Sequence, residues 1–180
     1  MILPSLRTYA GWLALVRILT GVIWLIHAVP KFLNGPAFLP PNGMFAAYLA
    51  RGVATTGGPY HDFMMNVVVP NAAIFAELVR VGELLVGISL VLGVFSRLGA
   101  FFGVLLPLNY MAARGAMGTV NGWGSPDAAL ALLSFISLIL PTGRVAGFDA
   151  LRTPRAARRP TVVAEVVPER PLDGPSAPRP

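Results

Sequence analysis

The sequence predicts an all-α integral membrane protein: a four-helix bundle with a long outer loop carrying short amphipathic helices, and a basic, disordered C-terminal tail. Three observations predict it. Hydrophobic residues make up 55% and charged residues 12% of the 180 residues, where soluble domains hold roughly 45–50% and about 25%. The mean hydropathy is +0.68. Four apolar stretches approach the roughly 20 residues that a helix needs to cross about 30 Å of hydrocarbon. The 19 Gly and 17 Pro do not oppose helices, because in membrane helices neighbouring segments satisfy the backbone groups they free.

The first span is read as Gly11 to Val29, between Arg7 and Pro30-Lys31. Its length, the enclosed Arg17 and the lack of a small-residue cleavage site separate it from a signal peptide. The second runs from Ala72 to Phe95, with Asn71 at the N-cap position and Ser96-Arg97 closing it. The third, Leu98 to Ala113, follows almost without a loop, which makes it an antiparallel neighbour of the second. The fourth starts near Asp127, after the turn residues Asn121, Gly122, Gly124, Ser125 and Pro126, and reaches Leu140, extendable to Gly147. Between the first two spans, Asn34 to Asn71 exceeds ordinary loop lengths. Met44, Phe45, Tyr48 and Leu49 share one helical face there, and Tyr60, Phe63, Met64 and Val67 repeat the pattern. Two short helices are expected, as an interfacial anchor or as a lid over the mouth of the bundle.

An even number of spans puts both termini on one side. That side carries Arg7, Arg97, Arg144, Arg152, Arg155, Arg158 and Arg159, against Lys31, Arg51 and Arg114 on the other. Cytoplasmic loops carry the excess of Lys and Arg, so both termini are expected in the cytoplasm of a multi-pass cell-membrane protein. The stretch Arg152 to Arg159 then lies against anionic lipid, and the net charge of +6 needs no nucleic-acid partner. Residues 1–150 are read as the transmembrane domain. Residues 151–180 are read as a Pro-rich tail whose composition cannot bury a core.

Spans one and two hold Arg17, His27, Glu77, Arg80 and Glu83, although a charge at mid-span costs roughly 2.5–3.5 kcal/mol. These groups are expected to face one another. Glu77, Arg80 and Glu83 recur every third residue, on a stripe along which Arg80 reaches both carboxylates. With the two spans antiparallel and centred on one another, His27 falls level with Glu77 and Arg17 reaches up toward Glu83. One reading makes the cluster a clamp between helices. The other makes it a site, with His27 and Glu77 as the catalytic pair that exchanges protons, since His titrates near neutrality. In the third span Pro107 is expected to kink the helix and free a carbonyl, while Asn109 and Tyr110 offer hydrogen bonds and an aromatic face. This set suits a planar apolar ligand with carbonyl oxygens, such as a quinone entering from lipid, bound by Arg80, Glu83, Arg17, Asn109 and Tyr110. Trp12 and Trp123 are read as interface-belt aromatics, and Gly82, Gly87 and Gly93 as close packing. Two His and no Cys argue against zinc and iron–sulfur sites, and no Gly-rich phosphate motif is present. No metal or covalent cofactor is expected.

The residues Arg17-Ile18-Leu19-Thr20-Gly21, His27-Ala28 and Pro30-Lys31 resemble the opening helix of the DoxX family of small four-helix membrane proteins, with Ala28 where that family has Gly. Glu83, Gly87, Gly93 and Phe95-Ser96-Arg97 are similar to its second helix and tight exit. Gly143-Arg144 and Gly147-Phe148-Asp149 are similar to its closing signature. Asn66 to Phe75 and Asn109-Tyr110 look like the DoxD-related branch, the membrane subunit of thiosulfate:quinone oxidoreductase. The resemblance runs over residues 8–152. It implies a membrane subunit of a quinone-linked oxidoreductase acting on thiosulfate or another sulfur compound, with Arg17, His27, Lys31, Glu83 and Arg97 as the positions to test. Because the chain has no Cys, thiols or an oxidising centre would belong to the substrate or a partner. The implied partners are the bilayer, quinone, and a soluble redox protein or a second copy of the chain. The alternative is a non-catalytic membrane anchor for a soluble redox enzyme. A small-molecule carrier ranks third, because four short spans support alternating access only as an oligomer.

Overall fold

A computed structural model describes residues 9–140, 142–144 and 146–152, and every regular element in it is helical. The tail expected beyond residue 152 lies outside the described residues, as does Arg7. In chain order the helices are α1 (Tyr9–Leu33), α2 (Gly35–Phe38), α3 (Met44–Thr55), α4 (Gly58–Phe63), α5 (Ala72–Leu92), α6 (Ser96–Ala113), α7 (Val120–Trp123) and α8 (Pro126–Ile139). Four of them form the bundle. α1 packs along α5, α5 meets α6, α6 packs along α8, and α1 and α8 close the ring over a shorter contact. The loop end of the bundle is where α1 gives way to α2; the turn end is where α5 gives way to α6.

Small residues fix the α1–α5 contact. A Cβ on Gly21 would fall 2.7 Å from the Val91 nitrogen and 2.9 Å from the Gly87 oxygen, and one on Gly87 would fall 2.6 Å from Leu25 Cδ2. Gly87 therefore packs as expected. Gly82 does not share that role, since its Cβ would meet only Leu106 Cδ1 at an ordinary 3.5 Å. Trp24, Val86, Leu90 and Ala100 form the buried core beneath this contact.

The boundaries differ from expectation for local reasons. α1 continues through Pro30 to Leu33 rather than stopping at Val29. Proline removes only its own N–H, and the ladder resumes where Asn34 N donates to the Pro30 oxygen at 2.9 Å. Lys31 thus belongs to the helix. α6 likewise continues through Pro107. Asn71 occupies the N-cap position of α5 without capping it, because its side chain donates backward to the Val67 oxygen at 2.8 Å.

α5 ends at Leu92, where Gly93 takes φ 64°, a conformation that glycine adopts without steric cost. The start of α6 is capped from far away in sequence. The Asp149 carboxylate accepts from Phe95 N at 2.9 Å, Ser96 N at 2.9 Å and Ser96 Oγ at 2.6 Å, while Asp149 N donates to the Gly93 oxygen at 2.8 Å. The segment Gly147-Phe148-Asp149 is therefore a lock on the turn end.

Three helices, α2, α3 and α4, form in the long connection where two are expected, and α4 runs into a π turn at Met64–Val68. Phe38, Gly43, Gly52, Met64 and Val68 are buried there, whereas Met44, Tyr48, Phe63 and Val67 are exposed. Part of the expected apolar face thus points away from the bundle. By length and composition one described helix, over Gly11–Leu33 (23 residues), suffices by itself to cross a membrane; α8 is a shorter apolar helix.

Candidate functional site

A cleft of about 240 Å³ lies in the loop-end half of the bundle, lined by residues of α1, α5, α6 and α8. Its rim residues Ile23 and His27 on α1 and Pro126 and Ala129 on α8 are exposed. The opening therefore falls between the two helices that close the ring least tightly. Leu130 and Leu133 form apolar wall, and Trp24, Glu83 and Tyr110 bring an indole, a carboxylate and a phenol to the interior.

Glu83 is the centre of the polar network. Its side chain is 3% exposed, which for a carboxylate demands partners. Oε1 accepts from the Tyr110 hydroxyl at 2.8 Å, and Oε2 accepts from Lys31 Nζ. Lys31 in turn lies 5.0 Å from the centroid of the Phe38 ring, a cation–π contact that ties α2 to the site. One acid is thus held by three helices.

His27 stands at the rim. Its Nδ1 lies 2.9 Å from the Ile23 carbonyl oxygen. A carbonyl only accepts, so Nδ1 carries the hydrogen, and in the neutral ring Nε2 holds the lone pair. Trp24 Nε1 donates to Ser134 Oγ at 3.4 Å, which fixes the indole in the wall. Asp127 reaches the mouth from the first turn of α8 and accepts from Arg114 Nη2. The result is a mostly apolar slot with a base at its rim and a hydrogen-bonded acid at its floor. Such a slot can hold a flat ring bearing oxygens and can exchange protons with it.

Three of the expected residues, His27, Glu83 and Tyr110, converge on this cleft. The others are placed elsewhere. Glu77 and Arg80 pair with each other: Arg80 Nε and Nη2 donate to Oε2 and Oε1 of Glu77, both at 2.6 Å, and the guanidinium stacks 4.7 Å from the Phe32 centroid. At about 100° per residue, Glu77 and Glu83 stand about 120° apart around α5. Arg80 commits both of those nitrogens to Glu77, and Glu83 takes its partners from α1 and α6 instead. His27 bonds its own helix rather than Glu77.

Arg17 lies at the turn end, buried, with Nη1 donating to the Thr142 oxygen at 2.9 Å and Nη2 to the Ala146 oxygen at 3.0 Å. The reason is register. Gly21 nests against Gly87 and Val91, about two turns away from the centre-on-centre pairing that the sequence suggests. That shift takes Arg17 to the end of α5 and brings His27 and Lys31 level with Glu83. Asn109 is exposed, and its Oδ1 accepts from the Tyr60 hydroxyl at 2.8 Å, which fastens α4 onto α6. Burial pushes the Tyr60 phenol above its ordinary range, so it remains a donor.

Trp24 and Asp127 belong to the site without having been picked out for it, and Lys31, which the family resemblance had marked as a position to test, joins it through Glu83. The signal for Lys31 was its spacing from His27, one helical turn, hidden by the proline between them. The signal for Asp127 was an acid just after Ser125 and Pro126, a helix-start pattern that Ser125 completes by accepting from Ala128 N at 3.4 Å. Trp24 carried no signal beyond its place on the same face as His27.

The profile of the family described as TQO small subunit DoxD matches residues 12–162. No curated protein matches the chain, and no solved structure does. The match spans most of the 180 residues: the chain belongs to the DoxD family.

Proposed function

We propose, on the premise of that membership, that the chain is the multi-pass membrane subunit of a quinone-linked oxidoreductase complex and that the cleft takes the quinone ring. The observation that carries the reading is the convergence of His27, Glu83 and Tyr110 on an apolar slot that opens sideways between α1 and α8. A cavity of about 240 Å³ is below the roughly 300–1,000 Å³ of pockets that enclose whole drug-sized ligands. It suits one head group whose isoprenoid tail stays outside in lipid.

The outer faces of the bundle support a membrane setting. Leu78, Leu85, Leu98, Phe101, Leu132 and Ile139 are all exposed, an apolar belt wider than monomeric soluble proteins display. Although among the described residues only α1 is long and apolar enough by itself, α5 turns its ionised groups toward partners, and the four helices cross as one unit with both termini in the cytoplasm. Residues 1–150 form the membrane domain in this reading, with the basic tail beyond it.

Reduction of a quinone to a quinol takes two electrons and two protons. The electrons come from thiosulfate or another sulfur compound, oxidised on a partner protein, since this chain has no Cys. His27, when protonated, offers Nε2–H to one carbonyl oxygen. The Tyr110 hydroxyl and the Glu83 carboxylate orient the opposite edge and pass the second proton. Trp24 provides the face against which the ring lies. Glu77 and Arg80 have no part in the chemistry in this scheme.

The test is quinone-dependent turnover of the His27→Ala protein, purified with its partner. Loss of one general acid–base group lowers turnover by about 10²-fold or more, with folding and quinone content retained. Unchanged turnover would contradict the proposal and leave the chain as an anchor for its redox partner.

A further inference from the structure

The bundle divides into a wet half and a dry half. Every titratable group at the cleft lies at or loopward of Glu83: His27 and Lys31 on α1, Glu83 on α5, Tyr110 on α6, and Asp127 with its partner Arg114 at the mouth. Toward the turn end, residues 18–26 of α1, 84–92 of α5, 98–109 of α6 and 128–139 of α8 contain no titratable side chain. The stretch 84–92 alone is about 13 Å of helix. The hydroxyls in this layer are committed. Thr20 Oγ1 donates to the Val16 oxygen at 2.8 Å, Ser89 Oγ to the Val94 oxygen at 2.7 Å and Ser137 Oγ to the Leu133 oxygen at 3.4 Å, while Ser134 Oγ receives Trp24 Nε1. Between them sits the core of Trp24, Val86, Leu90 and Ala100. Below it, Arg17 and Asp149 seal the turn end with hydrogen bonds to backbone and to Ser96.

We infer that the cleft exchanges protons with the loop-end face alone. On that side the Lys31 side chain, 21% exposed, pairs with Glu83, and the partly exposed Asp127 lines the same cleft, and nothing among the described residues relays a proton through the layer below. The chemistry rests on the quinone reading: each quinone that gains two electrons from the sulfur compound takes both protons from the loop-end compartment, and its two C=O groups become C–OH. Turnover fed by a donor on that same face then moves no net charge across the membrane. The sidedness itself rests on the helices and not on the ligand.

Because the chain lacks Cys, single substitutions report access cleanly. Ala129→Cys places a thiol at the cleft rim, and Ser137→Cys places one in the dry layer. In liposomes of known orientation, a charged, membrane-impermeant thiol reagent is expected to label Ala129→Cys from the loop-end face and not from the turn-end face, and to leave Ser137→Cys unlabelled from both. Labelling of Ala129→Cys from the turn-end face, or of Ser137→Cys from that face, would overturn the inference. In a second arm, the wild-type chain with its partner is given the sulfur donor and a short-chain quinone, with pH dyes on both sides. Uptake of two protons per quinone from the loop-end compartment is expected, and uptake from the other compartment overturns the inference. One-sided labelling without any proton uptake would overturn the quinone reading and leave the sidedness standing.

Discussion

Glu83 keeps a carboxylate in a dry place because two groups from other helices reach it, Lys31 Nζ and the Tyr110 hydroxyl. The two charged partners are not equally dependent on each other. The Lys31 side chain is 21% exposed and the Glu83 side chain 3%, so an abandoned lysine finds water and an abandoned carboxylate does not. Lys31→Met is therefore expected to cost about 3 kcal/mol, toward the range for breaking a buried pair. Glu83→Gln, which leaves a neutral amide, costs nearer 1 kcal/mol, about one ordinary hydrogen bond. Thermal unfolding in detergent checks the order; equal losses would mean that Glu83 is less secluded than its exposure indicates. At this scale the residue types were readable and the pairings were not. His27, Glu83 and Tyr110 announce themselves as polar groups in apolar helices. That Lys31 meets Glu83 depends on a register set by Gly21 and Gly87, which no local pattern encodes.

Individual helices were legible from hydropathy, and their ends were less so, because ends depend on what lies next to them in space. α1 outlasts its proline since only one N–H is lost. α6 begins where it does because Asp149, from the closing segment, takes the Phe95 and Ser96 amide hydrogens that the helix start leaves free. The Asp149→Ala protein is expected to lose at least about 1–2 kcal/mol, the upper range for an N-cap, and Asp149→Asn less, since one amide oxygen still accepts. Gly147→Ala attacks the same lock from another side: the added Cβ would lie 2.6 Å from Arg17 Nη1 and 2.5 Å from the Gly143 oxygen. Thermal midpoints in detergent rank these variants. An unchanged midpoint in Asp149→Ala would show that the closing segment does not hold the turn end. The similarity of residues 147–149 to a family signature thus has a mechanical content that spacing alone did not disclose.

For the whole molecule, composition made a membrane bundle the expectation, and the structure supplies an all-α ring of four helices with apolar side chains exposed on its outer faces and Arg17 and Glu83 buried inside. The opening between α1 and α8 was out of reach of the sequence, because it arises from how the ring closes and not from any one helix. Orientation was argued from the distribution of Lys and Arg. In intact cells, Gly57→Cys, at a position with open space around it, is expected to react with an impermeant thiol reagent, while Ala156→Cys in the tail is expected to react only after lysis. The reverse pattern would invert the topology.

The claim on which the account turns is that the slot beside Trp24 receives a quinone ring, and that indole makes the claim directly measurable. Of the three Trp residues, Trp12 and Trp123 are exposed and Trp24 is buried in the cleft wall. In the Trp12→Phe, Trp123→Phe protein, titration with a short-chain quinone is expected to quench the remaining emission saturably, with weaker binding once Tyr110→Phe is added. Quenching that rises linearly without saturation, or that is indifferent to Tyr110→Phe, would contradict it.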